Sequence, residues 1–165
     1  MIEAPAPSES IIYSQATPDD LPMVQALLRE NGLPSEDAGE HLEHFILAKE
    51  GDVLVATAGV ELLGSAGLLR SVCVARNCRN RGVAGELCRR MEASAFSAGV
   101  RHLYLLTTSA EEYFKRRGYR VCSRESLPAG VKGTAEFRSL CPASALSMVR
   151  DLDGDEQSTI LTYQS

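Results

Sequence analysis

The 165-residue chain has no apolar run near the roughly 20 residues that a membrane-spanning helix needs, so no transmembrane segment is expected. Met1 to Ser10 is polar and proline-rich, with neither a basic end nor an apolar stretch, and does not read as a secretory leader. None of the five cysteines (Cys73, Cys78, Cys88, Cys122, Cys141) stands in C-x-x-C spacing, and their number is odd. Thiols in a reducing cytoplasm fit that pattern better than a disulfide framework, and a cytoplasmic location is expected. His41, His44 and His102 form no metal-ligand cluster, so no metal site is expected. The net charge of -5 shows no excess of basic groups and weighs against nucleic acid as a partner. No repeat and no linker-like break interrupts the body of the chain.

What is present suits one domain with a real core: 44% apolar and 24% charged residues. Residues 1–10 read as a flexible leader, 11–152 as the domain, and 153–165 as a flexible acidic tail. Ile11 to Ala16 is a strand candidate. Thr17-Pro18-Asp19-Asp20 then opens a helix, with a cap, a first-turn proline and an acid at the dipole's positive end. Leu21, Val24 and Leu28 continue it to the stop at Asn31-Gly32. A weaker helix covers about 36–43. From Phe45, apolar β-rich runs broken at Gly51-Asp52 and Gly64-Ser65-Ala66-Gly67 predict a three-stranded antiparallel meander ending near Ala75. A long helix follows, with Ala84, Leu87, Cys88, Met91, Ala95 and Ala98 at steps of three and four, stopped at Gly99. His102 to Thr107 is a strand, 110–117 a short helix, and Tyr119 to Cys122 another strand; this order needs a parallel crossover pair. Residues 124–143 give no clear pattern, and 145–152 suits a closing strand or a helix.

The charge is unevenly spread. Arg70, Arg76, Arg79, Arg81, Arg89 and Arg90 share their stretch with a single acid, Glu86. Within it, Val72-Cys73-Val74 ends a strand, a basic loop follows, and a helix begins at Gly82. A helix N-terminus offers unpaired N–H groups and a positive dipole end, and so binds phosphate. Gly82 admits close backbone approach and Ala84 leaves room beside it. The pattern predicts a pyrophosphate cradle; read alone, it is also met at ordinary helix starts with solvated arginines.

In that context Arg79-x-x-Gly82-x-Ala84 resembles the acetyl-CoA signature of the GNAT acetyltransferases, (Arg/Gln)-x-x-Gly-x-(Gly/Ala). The likeness covers about residues 11 to 152. A narrower one joins Gly32-Leu33-Pro34, Gly59-Val60-Glu61, Leu68-Leu69-Arg70-Ser71-Val72, Leu105-Leu106-Thr107, Glu136-Phe137 and Cys141-Pro142, which together look like the N-acetyltransferases of bacterial arsenic-resistance operons. The resemblance implies an α/β fold with a splayed mixed sheet of six or seven strands and helices on both faces. It implies acetyl-CoA as co-substrate and direct acetyl transfer to a small, amino-acid-like amine. It also implies that Val72, Cys73 and Val74 bond the pantetheine arm through their backbone, and that Asn80, Arg81, Gly82, Val83, Ala84 and Gly85, with Arg79, hold the pyrophosphate. It leaves a homodimer open.

Direct transfer needs a proton acceptor for the amine and an N–H donor for the carbonyl oxygen, for which the N–H of Val72 is a candidate. Glu61, in the apolar strand Ala58 to Leu63, is the candidate base; the alternative is an exposed alternate residue on a half-buried strand. Arg70 interrupts an apolar strand and either reaches solvent or binds a carboxylate or other oxyanion; substrate binding is the expectation, with Ser71 beside it. Where the family usually has a tyrosine acid for the leaving thiolate, this chain has Phe114; Tyr113 next to it points about 100° away on a helix. Thr107 replaces the family's frequent asparagine and can bond the coenzyme through its hydroxyl. Cys73, Cys88 and Cys122 read as core, and Cys78 as a loop thiol of lowered pKa. Two rivals stand beside the enzyme: a non-catalytic acetyl-CoA-binding sensor, and a thiol-based arsenic(III) binder.

Overall fold

The structure, a computed structural model, describes residues 10–152. The expected leader, apart from Ser10, and the expected tail lie outside the described residues.

The chain enters on β1 (Ile11–Gln15). Thr17 then donates from its backbone N–H (2.8 Å) and hydroxyl (3.1 Å) to Asp20 Oδ2, closing a tight 3-10 turn over Pro18–Asp20 that leads into α1 (Leu21–Glu30). Val24, Leu27 and Leu28 form its buried face. The weaker helix is a single turn, α2 (Ala38–His41), followed by a 3-10 turn over Leu42–His44. The meander is present as β2 (Phe45–Glu50), β3 (Val53–Leu63) and β4 (Ala66–Val74), all antiparallel, with β1 paired to the outer side of β2. Gly59 has a steric reason to lack a side chain: a Cβ there would stand 2.5 Å from the ring of Phe45.

The long helix is α3 (Val83–Ser97), which carries the chain across to β5 (His102–Thr107), parallel to β4. After α4 (Glu111–Arg116) come β6 (Arg120–Cys122), α5 (Ala129–Lys132), a π-helical turn over Glu136–Leu140, and β7 (Leu146–Asp151). The sheet order is β1-β2-β3-β4-β5-β7-β6, so the closing segment is a strand, and it inserts between β5 and β6. The mixed, helix-flanked sheet is the architecture expected from the sequence.

Two apolar layers cover the sheet. On one face Leu87, Cys88, Met91 and Ala95 of α3 pack with Val55, Leu103, Leu105 and Met148. On the other, α1 and Ala38 pack with Phe45, Leu47, Leu54 and Cys73. Of the expected α3 stripe, Ala84 is only half-buried and Ala98, which caps the helix just beyond its last turn, is exposed. The same helix buries an acid, Glu92, which is fully enclosed. Its carboxylate accepts from Arg117 (3.0 Å), Arg150 (3.0 Å) and the Tyr119 hydroxyl (2.9 Å), and so ties α3 to the segment after α4 and to β7.

The feature that creates the site is a parting of strands. β4 and β5 pair only at Ala66–Leu68 with His102–Tyr104. Beyond that point β4 has lost its β5 partner but keeps β3. Its register with β3 shifts between the pairs Thr57↔Cys73 and Gly59↔Arg70, which leaves Ser71 and Val72 opposite the single residue Ala58. Such a bulge bends a strand and re-aims its side chains. Ser71 sits at φ 57, in the left-handed region unusual for a residue other than glycine, and the Thr57 hydroxyl donates to its carbonyl at 2.7 Å.

Candidate active site

Two clefts open where β4 leaves β5. The first, about 490 Å³, is walled by Val72, Cys73 and Val74 of β4, by Arg79, Asn80 and Gly82 of the loop, by Val83, Ala84 and Gly85 of α3, and by Ser109, Ala110, Tyr113 and Phe114. From Leu69 onward the β5-facing edge of β4 has no sheet partner among the described residues, so its backbone groups are open to an extended ligand. Asn80 (φ 65) and Gly82 (φ 80) both turn left-handed just before α3. A Cβ at Gly82 would touch nothing within 4 Å, so it is the backbone angle that calls for glycine there. The helix's first hydrogen bond runs from Glu86 N–H to Gly82 C=O, and the N–H groups of Val83, Ala84 and Gly85 lie ahead of it, at the positive dipole end. A phosphate group fits this cradle.

The arginines divide. Arg79 lines the cleft, donating to the Val74 carbonyl (3.2 Å) and Asn31 Oδ1 (2.6 Å). Arg81 instead pairs with Glu50 (3.1 Å), and Arg89 and Arg90 are held by Glu86 at 2.8 and 2.7 Å. Arg70 stands in the wall of the second cleft.

That second cleft, about 530 Å³, shares Leu33, Val72, Ser109, Ala110 and Phe114 with the first, so the two meet at the parting. Its deep wall is charged. The Arg70 side chain is fully buried and forks onto Asp37, with Nη1 to Oδ2 at 2.6 Å and Nη2 to Oδ1 at 2.5 Å. Nη1 also donates to Glu61 Oε2 (2.9 Å), Nε donates to Ser71 Oγ (3.2 Å), and Nη2 lies 3.7 Å from Glu136 Oε1. Burial alone would lower the pKa of Arg70, but the bond to Asp37 and the charges of Glu136 and Asp37 outweigh it, and the net shift is upward. Asp37 is pushed up by burial and brought below its ordinary value by Arg70. Glu136 is different: burial, with the neighbouring Glu61 and Asp37, outweighs Arg70 and raises it to about 7. His41 Nε2 stands 3.5 Å from Asp37 and 3.7 Å from Glu61. Asp37, His41 and Glu61 bring three ligating atoms within 4.8 Å, but the guanidinium already fills the place of a cation beside both carboxylates.

The residues singled out from the sequence fall as follows. Val72, Cys73, Val74, Arg79, Asn80, Gly82, Val83, Ala84 and Gly85 line the first cleft; Arg81 does not. Glu61 lines neither cleft: it is buried, which removes the exposed-alternate reading, and its carboxylate is bonded to Arg70. Arg70 lines the second cleft with its donors already engaged. Ser71 lines it too. Thr107, expected to bond the coenzyme, lines the second cleft and not the first, and its hydroxyl accepts the Ala110 N–H at 3.0 Å and anchors the start of α4. Phe114 is packed edge-on between Tyr113 and Tyr119, with ring centroids 5.2 and 5.5 Å away. Tyr113 lines the first cleft near its helix end, its hydroxyl 4.0 Å from where a Cβ on Gly85 would be. Cys73 and Cys88 are core, Cys122 is half-buried, and Cys78 is enclosed at 1% exposure. Burial pushes Cys73 and Cys141 up to about 11, away from thiolate chemistry. Asp37, His41 and the placement of Glu136 were not foreseen; the only signal was the pair Glu136-Phe137 within the narrower likeness.

Residues 10–119 match the model of the acetyltransferase (GNAT) family, and the chain belongs to that family. It is an acetyltransferase with acetyl-CoA as co-substrate. Among curated relatives it is 29% identical over 112 residues to the N-acetyltransferase YjcF of Bacillus subtilis, covering 65% of this chain and 80% of that one. It is 32% identical over 108 residues to an amino-acid acetyltransferase of Pseudomonas fluorescens, covering 62% of this chain but only 25% of that one. Among solved structures, N-acetylglutamate synthase of Neisseria gonorrhoeae, in complex with coenzyme A and N-acetyl-glutamate, shares the fold at TM-score 0.75 and 22% identity, over 87% of this chain and 35% of that one. Rv2747 of Mycobacterium tuberculosis, in complex with CoA and NLQ, shares it at TM-score 0.72 and 19% identity, over 86% and 99%. No helix among the described residues is long and apolar enough to cross a membrane.

Proposed function

We propose that this acetyltransferase moves acetyl from acetyl-CoA directly to the amine of a small, amino-acid-like acceptor, with no acetylated enzyme between. The observation that carries this reading is the meeting of two clefts at Val72, Ser109, Ala110 and Phe114, which lets a thioester and an amine approach from opposite sides. Acetyl-CoA supplies the activated acetyl group. The N–H groups from Asn80 to Gly85 and the Arg79 side chain hold its diphosphate, and the free edge of β4 at Val72 to Val74 holds its pantetheine arm. The Val72 N–H is suited to the carbonyl oxygen, where charge gathers. With Phe114 unable to give a proton, the leaving thiolate is met by water or by the departing amine proton.

The acceptor's size follows from the cleft, about 530 Å³, which suits an amino acid better than a folded protein's surface. The relatives named as amino-acid acetyltransferases support the same class. Within it, the motif likeness to arsenic-resistance N-acetyltransferases favours a toxic analogue, an organoarsenical or a phosphinothricin-like amino acid. The test is CoA-thiol release from acetyl-CoA against a panel of amino acids, their phosphinate and arsonate analogues, and polyamines, with the amide identified by mass. Release with an amino-acid-like member is expected. Binding of acetyl-CoA without release to any amine would contradict the proposal and favour a non-catalytic sensor.

A further inference from the structure

We propose that Glu136 is the catalytic base, the group that binds the acceptor's ammonium in the second cleft and takes its proton. This rests on the transfer reading above. Four observations lead to it. Glu136 lines the acceptor cleft, whereas Glu61 and Asp37 do not. It is 4% exposed, so its carboxylate is largely shielded from solvent. Asp37 gives both oxygens and Glu61 its Oε2 to Arg70 at hydrogen-bond length, while Glu136 stands 3.7 Å from that guanidinium. Asp37 and Glu61, behind the wall, join Glu136 in placing three carboxylates around one guanidinium. An arginine so neutralised does not draw an acceptor's carboxylate, and the surplus is negative, which suits an ammonium group.

The charged and titratable groups around Glu136 are Arg70 of β4, Glu61 of β3, Asp37 ahead of α2, and Cys141 just beyond its own turn. They leave its pKa near 7, so near neutral pH the carboxylate is both available and basic enough to accept a proton. One ammonium proton passes to Glu136, freeing the nitrogen lone pair. That pair forms the C–N bond to the thioester carbon, and the carbonyl π pair moves onto oxygen. The carbonyl re-forms as the C–S bond breaks, its electrons leaving on sulfur. The second amine proton ends on that thiolate, giving amide and CoA thiol, and Glu136 releases its proton to solvent.

Glu136→Gln tests this. Against an acceptor from the panel it is expected to lower kcat about 100-fold or more at pH 7.5, with acetyl-CoA affinity unchanged. The loss should shrink for the corresponding amino-acid amide, whose amine gives up its proton more readily, and at high pH. In the wild type kcat/KM should fall as pH drops below about 7. Glu136→Asp should recover part of the rate. Independently of turnover, infrared difference spectra of the coenzyme-free protein should show a carboxylic-acid band titrating near pH 7 that Glu136→Gln lacks. If the wild type transfers acetyl and Glu136→Gln keeps its rate and pH profile, the assignment is overturned while the transfer reading stands. A wild type that acetylates no amine overturns both.

Discussion

Arg70 and its carboxylates show how residues far apart in sequence acquire a shared chemistry. Positions 37, 61, 70 and 136 come from a turn before α2, two adjacent strands and a π-helical turn, and they converge on one buried guanidinium. Two of the four were visible as charged interruptions of apolar strands, Glu61 and Arg70. What they do was not, because an arginine in a strand looks the same whether it faces a ligand or a buried aspartate 33 residues away. Glu136 also carries a stability consequence with a definite sign. Unfolded, it titrates near 4.5; folded, near 7. Between those values the native state holds more protons than the unfolded one, so its contribution to stability is full below about pH 4.5 and is lost as pH rises to 7. Glu136→Gln removes this loss. Urea unfolding of both proteins from pH 4.5 to 8 should show the variant gaining on the wild type across that window, by about 3 kcal/mol at most. A constant difference would contradict the raised pKa.

At the scale of elements, the loop from Ala75 to Gly82 and the first turn of α3 were readable because local rules act there. A strand ends, a left-handed glycine follows, and a helix opens with small residues. Gly82→Glu adds a side chain with a charge of the wrong sign to a left-handed position at the cradle. Calorimetric titration should show acetyl-CoA binding lost, by about 100-fold or more, which at 1.4 kcal/mol per tenfold is about 3 kcal/mol. Unchanged affinity would move the diphosphate elsewhere. The meander was legible for a similar reason, since Gly51-Asp52 and Gly64-Ser65 punctuate β-rich runs. The segment 124–143 was not. Its helical pieces, a 3-10 turn over Arg124–Ser126, α5 and the π-helical turn, are each about one turn, too short for a periodic apolar face to appear, and Leu127 and Val131 pack on Leu68. The second layer of ionic contacts, Glu92 with Arg117, Arg150 and Tyr119, was hidden as well: an acid inside an amphipathic helix normally reads as surface, and here its three partners arrive from later elements.

For the molecule as a whole, one geometric choice organises everything else. A sheet closed along β4 and β5 would be a wall; this one pairs for three residues and then opens, and each side of the opening is furnished differently. The first cleft, which we propose takes the coenzyme, has backbone N–H groups and a helix end, and the second, proposed for the acceptor, has the buried carboxylate of Glu136 beside Arg70. The architecture and the coenzyme motif could be read from the order of elements and from Arg79-x-x-Gly82-x-Ala84. The parting came only with the family resemblance, as the splayed sheet it implies, because it depends on how far β4 and β5 stay in register, which no local pattern in either strand encodes. The most direct test is a crystal of this protein soaked with coenzyme A. The account predicts the pantetheine arm lying along the free edge of Val72 to Val74, the diphosphate against the N–H groups of Asn80 to Gly85, and the thiol pointing to the junction with the cleft of Glu136. Coenzyme bound away from β4, or a parting that stays empty at saturating concentration, would contradict it.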